Sequence, residues 1–183
     1  MKRLIILPIL LIYGLLPAQQ LLPGDLLFYV DMDGMGAAVS ATTGQYTHVA
    51  LVERVGDTVW IIDATQRYGV SRRPENSTRP YPDVYRLTIP FDTAAVITRA
   101  HALLGLPYDN AFLPGNNAYY CSELIQTVFD TLFSSQPMNW RDADGNIPEY
   151  WIKHFEKLGI PVPEGVLGTN PTDLSRSPLL RKL

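Results

Sequence analysis

Short apolar segments dominate the first half of the chain and predict β-strands. Residues 26–30 form an apolar run rich in strand-forming side chains, and residues 84–89 alternate between apolar and polar. Two further strands are predicted at 47–54 and 58–63. The dipeptide Gly56-Asp57 between them is a tight-turn signal. These two strands are therefore expected to form a hairpin with a two-residue loop.

Four other segments lack a sustained hydrophobic periodicity. Residues 31–44 are rich in Gly, Ala, Ser and Thr, and residues 72–82 are polar and contain three prolines. Both are predicted to be loops. Residues 68–70 are read as a short strand. The tail from residue 160 onwards is rich in Pro and Gly and is expected to lie over the surface.

Helical periodicity begins after the strands. Asp92 is suited to cap a helix over 93–104. Residues 121–133 carry apolar side chains along one helical face, and a last helix is predicted over 148–158, ending at Gly159. Strands followed by helices predict an α+β fold, in which an antiparallel sheet packs against helices.

The N-terminus has the pattern of a secretory signal. Met1-Lys2-Arg3 is basic, residues 4–16 are almost wholly apolar, and small residues such as Ala18 follow. We expect residues 1–18 to be a signal peptide and residues 19–183 to form a single domain. The protein would then be exported, to the periplasm or the extracellular space. The alternative is an uncleaved anchor helix.

Composition narrows the classes of function. The chain of 183 residues has 15 Lys and Arg against 18 Asp and Glu, a formal net charge of −3. This mild acidity argues against a nucleic-acid partner, because Arg72-Arg73 is a local basic pair and not a stripe. Cys121 is the one cysteine, so no internal disulfide can form. It is a buried spectator, an intermolecular link or a working thiol.

Cys121 lies at the predicted start of a helix. Free backbone N–H groups and the helix dipole favour negative charge there, hence the thiolate and a developing oxyanion. The competing interpretation is that Cys121 is a buried apolar residue, since it also falls on the apolar face of its helix.

His48 is a polar ring in an apolar strand, and it needs a hydrogen-bonding partner there. A two-residue hairpin loop places His48 opposite Thr65 and Ala50 opposite Asp63. Asp63 then lies on the same face as His48, about 7–8 Å away along the diagonal. Asp63 is the best candidate to orient His48 in a nucleophile–base–orienter triad, with Thr65 as the alternative. A satisfied core histidine is the competing interpretation.

Other chemistries find less support in the sequence. No G-x-S-x-G or H-E-x-x-H pattern occurs. His101 and His154 fall in the later halves of predicted helices, where an imidazolium suits the dipole. No metal or organic cofactor is expected.

Several segments resemble a known family. Residues 24–28 look like a Gly-Asp-Leu strand and residues 46–52 like a histidine strand. Residues 107–108 with 120–125 look like a nucleophile loop and helix, and residues 171–178 resemble a C-terminal motif. Together they resemble the permuted branch of the NlpC-type, papain-like hydrolases, the YiiX-like group. In unpermuted members the cysteine helix comes first, whereas here it follows the histidine strand.

The resemblance implies a circularly permuted papain-like fold and assigns roles to particular residues. Cys121 would be the nucleophile and His48 the base, and the third polar residue, on the strand after the histidine, would be Asp63. Tyr108 matches a tyrosine that lines the active site and is a candidate to contact the oxyanion.

Two departures from the unpermuted pattern lie beside the thiol. Tyr120 stands where an Asp is usual, and Glu123 where a Gly is usual. Both are candidate substrate-contacting residues, because side chains next to the thiol bear on the choice of substrate.

The residues and the resemblance together predict an exported cysteine hydrolase. It would cleave amide bonds through a thioester, in cell-wall (peptidoglycan) peptides or related small peptides, in association with the cell envelope. The aromatic residues Tyr108, Phe112, Tyr119 and Tyr120 leave open a lipid acyl hydrolase or acyltransferase that acts on acyl-containing small substrates. The third hypothesis is a non-catalytic ligand-binding protein.

Overall fold

The computed structural model describes residues 20–32, 34–75 and 83–183. The predicted signal peptide, residues 1–18, lies outside these ranges. Within them, no helix has both the length and the apolar character needed to cross a membrane. The strands are β1 Leu26–Tyr29, β2 His48–Val55, β3 Thr58–Thr65, β4 Gly69–Pro74, β5 Asp83–Leu87, β6 Gln136–Pro137, β7 Leu167–Gly168 and β8 Leu180–Lys182. The helices are α1 Met35–Thr43, α2 Thr93–Ala102, α3 Cys121–Val128, α4 Glu149–Leu158 and α5 Pro171–Ser175.

Six strands form one sheet in the order β4-β3-β2-β1-β5-β8, and every neighbouring pair is antiparallel. Helices α2 and α3 cover one face of the sheet. Side chains of α3 such as Leu124 and Ile125 share a buried cluster with sheet residues such as Leu51 and Ile62. The α+β prediction is therefore confirmed. Strands β6 and β7 form a separate small ladder.

The β2–β3 hairpin has the register predicted from its turn. Val55 faces Thr58 and Leu51 faces Ile62, which leaves Gly56-Asp57 as the two-residue loop. Gly56 takes the left-handed backbone conformation that such a loop requires. Because side chains alternate between the two faces of a sheet, this register places His48 and Asp63 on the same face.

The prediction of a loop over residues 31–44 is wrong, because α1 occupies Met35–Thr43. Gly, Ser and Thr have weak helix propensity, so local sequence gave no helix signal. Tertiary contacts hold the helix instead. Ala38 is buried and its carbonyl accepts a hydrogen bond from Trp151 Nε1 at 3.3 Å. Gly36 allows a close approach to Asp31, since a Cβ there would lie 2.4 Å from the Asp31 carbonyl oxygen.

Two segments predicted as irregular contain strands or helices. The strand predicted at 68–70 extends to Pro74 as β4, which pairs with β3, so the predicted loop at 72–82 begins as strand. The tail after residue 160 does not simply lie over the surface. It contains α5, whose Leu174 is buried, and β8, which adds an edge to the sheet beside β5.

The helix predictions need smaller changes. Asp92 caps α2, accepting a hydrogen bond from the Ala95 N–H at 2.9 Å, and Gly159 ends α4 in a left-handed conformation, both as predicted. Helix α3 ends at Val128 and not at residue 133. Asp130 has a positive φ of 56°, which interrupts the helix, and a single 3₁₀ turn follows.

Candidate active site

Cys121 is the first residue of α3 and lines a cavity of about 230 Å³. Tyr120, before it, is extended, so the helix begins abruptly at the thiol. Cys121 is 7% exposed and is one of the residues that line the cavity. A small molecule that enters the cavity can therefore approach the buried Cys121 at the start of the helix.

His48 is the first residue of β2 and also lines this cavity. Its Nε2 lies 2.8 Å from Oδ2 of Asp63, the contact expected from the hairpin register. Asp63 is on β3 and is 0% exposed. Thr65, the alternative partner, lines the cavity, but the hydrogen bond goes to Asp63.

The imidazole of His48 contacts Asp63 and lines the same cavity as Cys121. Burial by itself lowers the pKa of His48, but hydrogen bonds to Asp63 and Cys121 outweigh it and raise the pKa from 6.5 to about 9. Because Nε2 faces Asp63, Nδ1 is the nitrogen that remains for the sulfur. The ring therefore keeps a proton readily when it faces the thiol.

Asp63 has a second partner that the sequence analysis missed. Arg73 on β4 approaches the carboxylate with both terminal nitrogens, at 2.5 and 2.6 Å. Burial by itself raises the pKa of Asp63, but its bonds to His48 and Arg73 lower the pKa below the ordinary value. Extending the strand pairing from β3 to β4 would have found Arg73. The three prolines of residues 72–82 favour a loop, and this signal hides the strand.

Tyr108 lies on the cavity wall. The loop around it is tied to the segment before α3, because the Tyr119 N–H donates to the Pro107 carbonyl at 3.1 Å. The Tyr108 hydroxyl donates to Met35 Sδ at 3.6 Å, a weak acceptor. Burial, followed by the charge of Cys121, raises the pKa of Tyr108 well above its ordinary value. The hydroxyl is thus a protonated donor that can turn to a stronger acceptor.

Tyr120 and Glu123, the two departures from the unpermuted pattern, have different surroundings. Tyr120 lines the cavity, and its hydroxyl accepts a hydrogen bond from the Thr169 N–H at 3.1 Å. Glu123 is not among the residues that line the cavity. Its Oε2 lies 3.4 Å from the Tyr120 N–H, at the start of the helix. Burial, followed by the charge of Asp109, raises the pKa of Glu123 from 4.5 to about 8.

Much of the cavity wall is apolar, and no described residue that lines it is Lys or Arg. Its aromatic part is one packed cluster, with Phe112 at 5.1 to 5.6 Å, centroid to centroid, from three other rings. The apolar and aromatic lining residues include Met35, Val39, Phe112, Met138, Trp140 and Trp151.

The other two histidines lie elsewhere. His101 Nε2 is 3.2 Å from Glu53 Oε1, and His154 Nε2 is 2.7 Å from the Asn110 carbonyl. Neither lines the cavity. In residues 20–32, 34–75 and 83–183, no group of three or more His, Cys, Asp or Glu side chains is placed to hold a metal ion.

A thiol at a helix start that faces an imidazole on an antiparallel sheet defines the class of papain-like cysteine hydrolases, here with the cysteine helix after the histidine strand. Comparison with protein-family models agrees. Residues 20–183 match the model of the peptidase C92 family, described as permuted papain-like amidase enzymes of the YaeF/YiiX type. The chain belongs to this family, and it is a cysteine hydrolase of the amidase class.

Among solved structures, the chain is similar to the crystal structure of metalloprotein YiiX from Escherichia coli O157:H7, with a TM-score of 0.74. The two share 18% identity over 88% of this chain and 95% of that one, which shows the fold. A search of the curated proteins gave no significant match.

Proposed function

We propose that the protein hydrolyses amide bonds with Cys121 as nucleophile, His48 as base and Asp63 as the residue that orients His48. The observation that carries this proposal is the 2.8 Å contact between Asp63 Oδ2 and His48 Nε2, together with the position of His48 and Cys121 on the wall of the same cavity. A nucleophile, a neighbouring base and a group that orients the base are the arrangement used in covalent catalysis.

The reaction runs through a thioester. The Cys121 thiol gives its proton to His48, and the sulfur adds to the amide carbon. The oxyanion is stabilised by the Cys121 N–H at the start of α3 and by the Tyr108 hydroxyl. The C–N bond then breaks as the His48 imidazolium gives its proton to the leaving amine. Water, deprotonated by His48, attacks the thioester, which releases the carboxylic acid and restores the thiol.

The similar protein YiiX is described as a metalloprotein. The described side chains of this chain offer no cluster of ligands that fits a metal ion. Every step proposed above uses only this protein's own side chains and water.

As substrates we propose cell-wall peptides or related small peptides, met in the periplasm or outside the cell. The basic start and apolar run of residues 1–18 support export. Mass spectrometry of the protein recovered from a periplasmic or secreted fraction tests this. The expected chain begins near residue 19, and a full-length chain confined to the cytoplasm would contradict export.

A second candidate function is supported by the cavity wall. Its apolar and aromatic side chains, with no Lys or Arg among the described lining residues, suit an uncharged acyl group better than a peptide rich in carboxylates. A lipid acyl hydrolase or acyltransferase would use the same Cys121 thioester. A peptidoglycan fragment and a short-chain acyl ester, assayed side by side, separate the two functions by their kcat/KM.

The central test is Cys121→Ala. The variant should lose hydrolysis of both substrates and leave folding nearly intact, with an unfolding midpoint close to that of the natural protein. With the natural protein, rapid quenching followed by mass spectrometry should find the acyl group on the peptide that contains Cys121. Unchanged turnover in Cys121→Ala would refute the proposal.

A further inference from the structure

Arg73 belongs to a row of three side chains that crosses strands β2, β3 and β4. In the β3–β4 pairing Asp63 faces Ser71, so Arg73, two residues on, is the diagonal neighbour of Asp63 on the same face. The β2–β3 register makes His48 its diagonal neighbour from the other side. The carboxylate therefore lies between an imidazole and a guanidinium.

Arg73 donates a hydrogen bond to each oxygen of the Asp63 carboxylate. Its Nη1 donates to Oδ1 of Asp63 at 2.5 Å and its Nη2 donates to Oδ2 at 2.6 Å. A two-pronged contact of this kind fixes the plane of a carboxylate as well as its position. Oδ2 also faces His48 Nε2 at 2.8 Å. Because Asp63 is 0% exposed, solvent cannot replace a partner that is lost.

We propose that Arg73 is a positioning residue of the hydrolase: it fixes the Asp63 carboxylate and, through it, the plane and tautomer of His48 opposite Cys121. The inference rests on the roles proposed above for Cys121 and His48. Arg73 also shares the negative charge of Asp63, so the carboxylate holds a proton on His48 less strongly. The imidazolium can then release that proton to the leaving amine.

Charged and titratable groups approach His48 from several elements. Asp63 on β3 contacts the ring, Cys121 on α3 lines the same cavity as the ring, and Tyr29 on β1 lies 5.6 Å from it between centroids. Asp31 lines the same cavity. Arg73 on β4 binds the Asp63 carboxylate and reaches His48 only through it. Removing Arg73 leaves the buried carboxylate with His48 as the partner that remains, which favours the imidazolium.

The neighbouring Arg72 provides a matched control. It points to the opposite face of the same strand, where its Nε donates to Glu53 Oε2 at 2.6 Å and its guanidinium lies 3.7 Å from the centroid of Trp60. The side chains of Arg72 and Arg73 are similarly exposed, 25% and 31%. Arg72→Met therefore removes a comparable ion pair without touching Asp63.

The experiment compares Arg73→Met and Arg72→Met in two assays. The first is kcat for amide hydrolysis. The second is the rate at which iodoacetate alkylates Cys121 as a function of pH. This anionic reagent is attracted by the imidazolium, so the rate falls at high pH as His48 loses its proton.

Arg73→Met should lower kcat by about tenfold to a hundredfold, the cost of displacing a reacting group by about 1 Å. It should also move the high-pH fall in alkylation to higher pH. Arg72→Met should leave both unchanged. If Arg73→Met matches the natural protein in either assay, or Arg72→Met reproduces both effects, the inference is wrong.

Arg73→Lys distinguishes the effect of the positive charge from that of the bidentate contact. It also provides the test if Arg73→Met does not fold. Lys keeps the positive charge but cannot make the bidentate contact. The pH at which the alkylation rate falls should therefore be unchanged, while kcat still drops. A natural kcat in Arg73→Lys would overturn the positioning role. If alkylation of the natural protein follows only the titration of a free thiol, the proposed Cys121–His48 pair fails first, and the inference fails with it.

Discussion

Thr172 on α5 is bonded twice to Tyr46, the residue two positions before His48. Its Oγ1 accepts a hydrogen bond from the Tyr46 N–H at 3.0 Å and donates one to the Tyr46 carbonyl at 3.2 Å. The same segment reaches α3, because Ser122 Oγ donates to the Thr169 carbonyl at 3.1 Å. The C-terminal segment thus ties the start of the histidine strand to the start of the cysteine helix.

Thr172→Val should lower the free energy of unfolding by about 1–3 kcal/mol, because the buried Tyr46 N–H and carbonyl lose their partner. Urea denaturation measures this change. Thr88→Val is the control: it removes an exposed hydroxyl that donates to the Leu179 carbonyl and should cost less than about 0.5 kcal/mol. Equal costs for the two variants would mean that the Thr172 bonds do not stabilise the fold.

Asp63→Asn should lower the pKa of His48, because a neutral amide replaces the carboxylate that helps to raise it to about 9. The high-pH fall in iodoacetate alkylation should move to lower pH, opposite to the shift expected for Arg73→Met. We expect kcat to drop on the order of a hundredfold or more. Asp57→Asn, in the exposed turn of the same hairpin, should change neither. An unmoved alkylation profile in Asp63→Asn would contradict the role of Asp63.

Glu123 should make the protein less stable as pH rises. Burial and Asp109 raise its folded pKa to about 8, against 4.5 in the unfolded chain, so the folded state holds more protons between these values. The stability associated with this group is complete below pH 4.5 and is lost as pH rises through 8. Glu123→Gln keeps an acceptor for the Tyr120 N–H and should flatten this part of the stability profile. The measurement is the urea midpoint from pH 5 to 9, and a profile as steep as that of the natural protein would contradict it.

Gly69 and Gly56 offer a test of crowding at equal backbone strain. Both have positive φ, 63° and 59°, so Ala is strained at either position. A Cβ at Gly69 would lie 2.2 Å from the Leu106 carbonyl oxygen, whereas one at Gly56 meets nothing within 4 Å. Gly69→Ala should therefore cost at least about 1 kcal/mol more than Gly56→Ala, since backbone must move. Similar urea midpoints for the two variants would show that the Leu106 segment yields freely.

The local sequence was sufficient for the hairpin and its consequences. Gly56-Asp57 sets a two-residue loop, and the loop sets the register of β2 against β3. With period-two alternation, the register alone places Asp63 beside His48. The loop length and the strand register both depend on residues close together in the sequence. Neither prediction therefore requires information about the rest of the chain.

Contacts between distant parts of the chain account for the remaining features. Helix α1 has little helix propensity of its own and exists through its packing against α4, as the Trp151–Ala38 bond shows. Arg73 became a partner of Asp63 only because β4 continues into a segment whose prolines predicted a loop. Thr172 meets Tyr46 across 126 positions. Local patterns alone predict the hairpin, the start of the cysteine helix and the candidate thiol and imidazole. The approach of the thiol to the imidazole, and the wall of the cavity, depend on contacts between residues that are far apart in the sequence. The energies of such contacts cannot be inferred from a short segment of sequence.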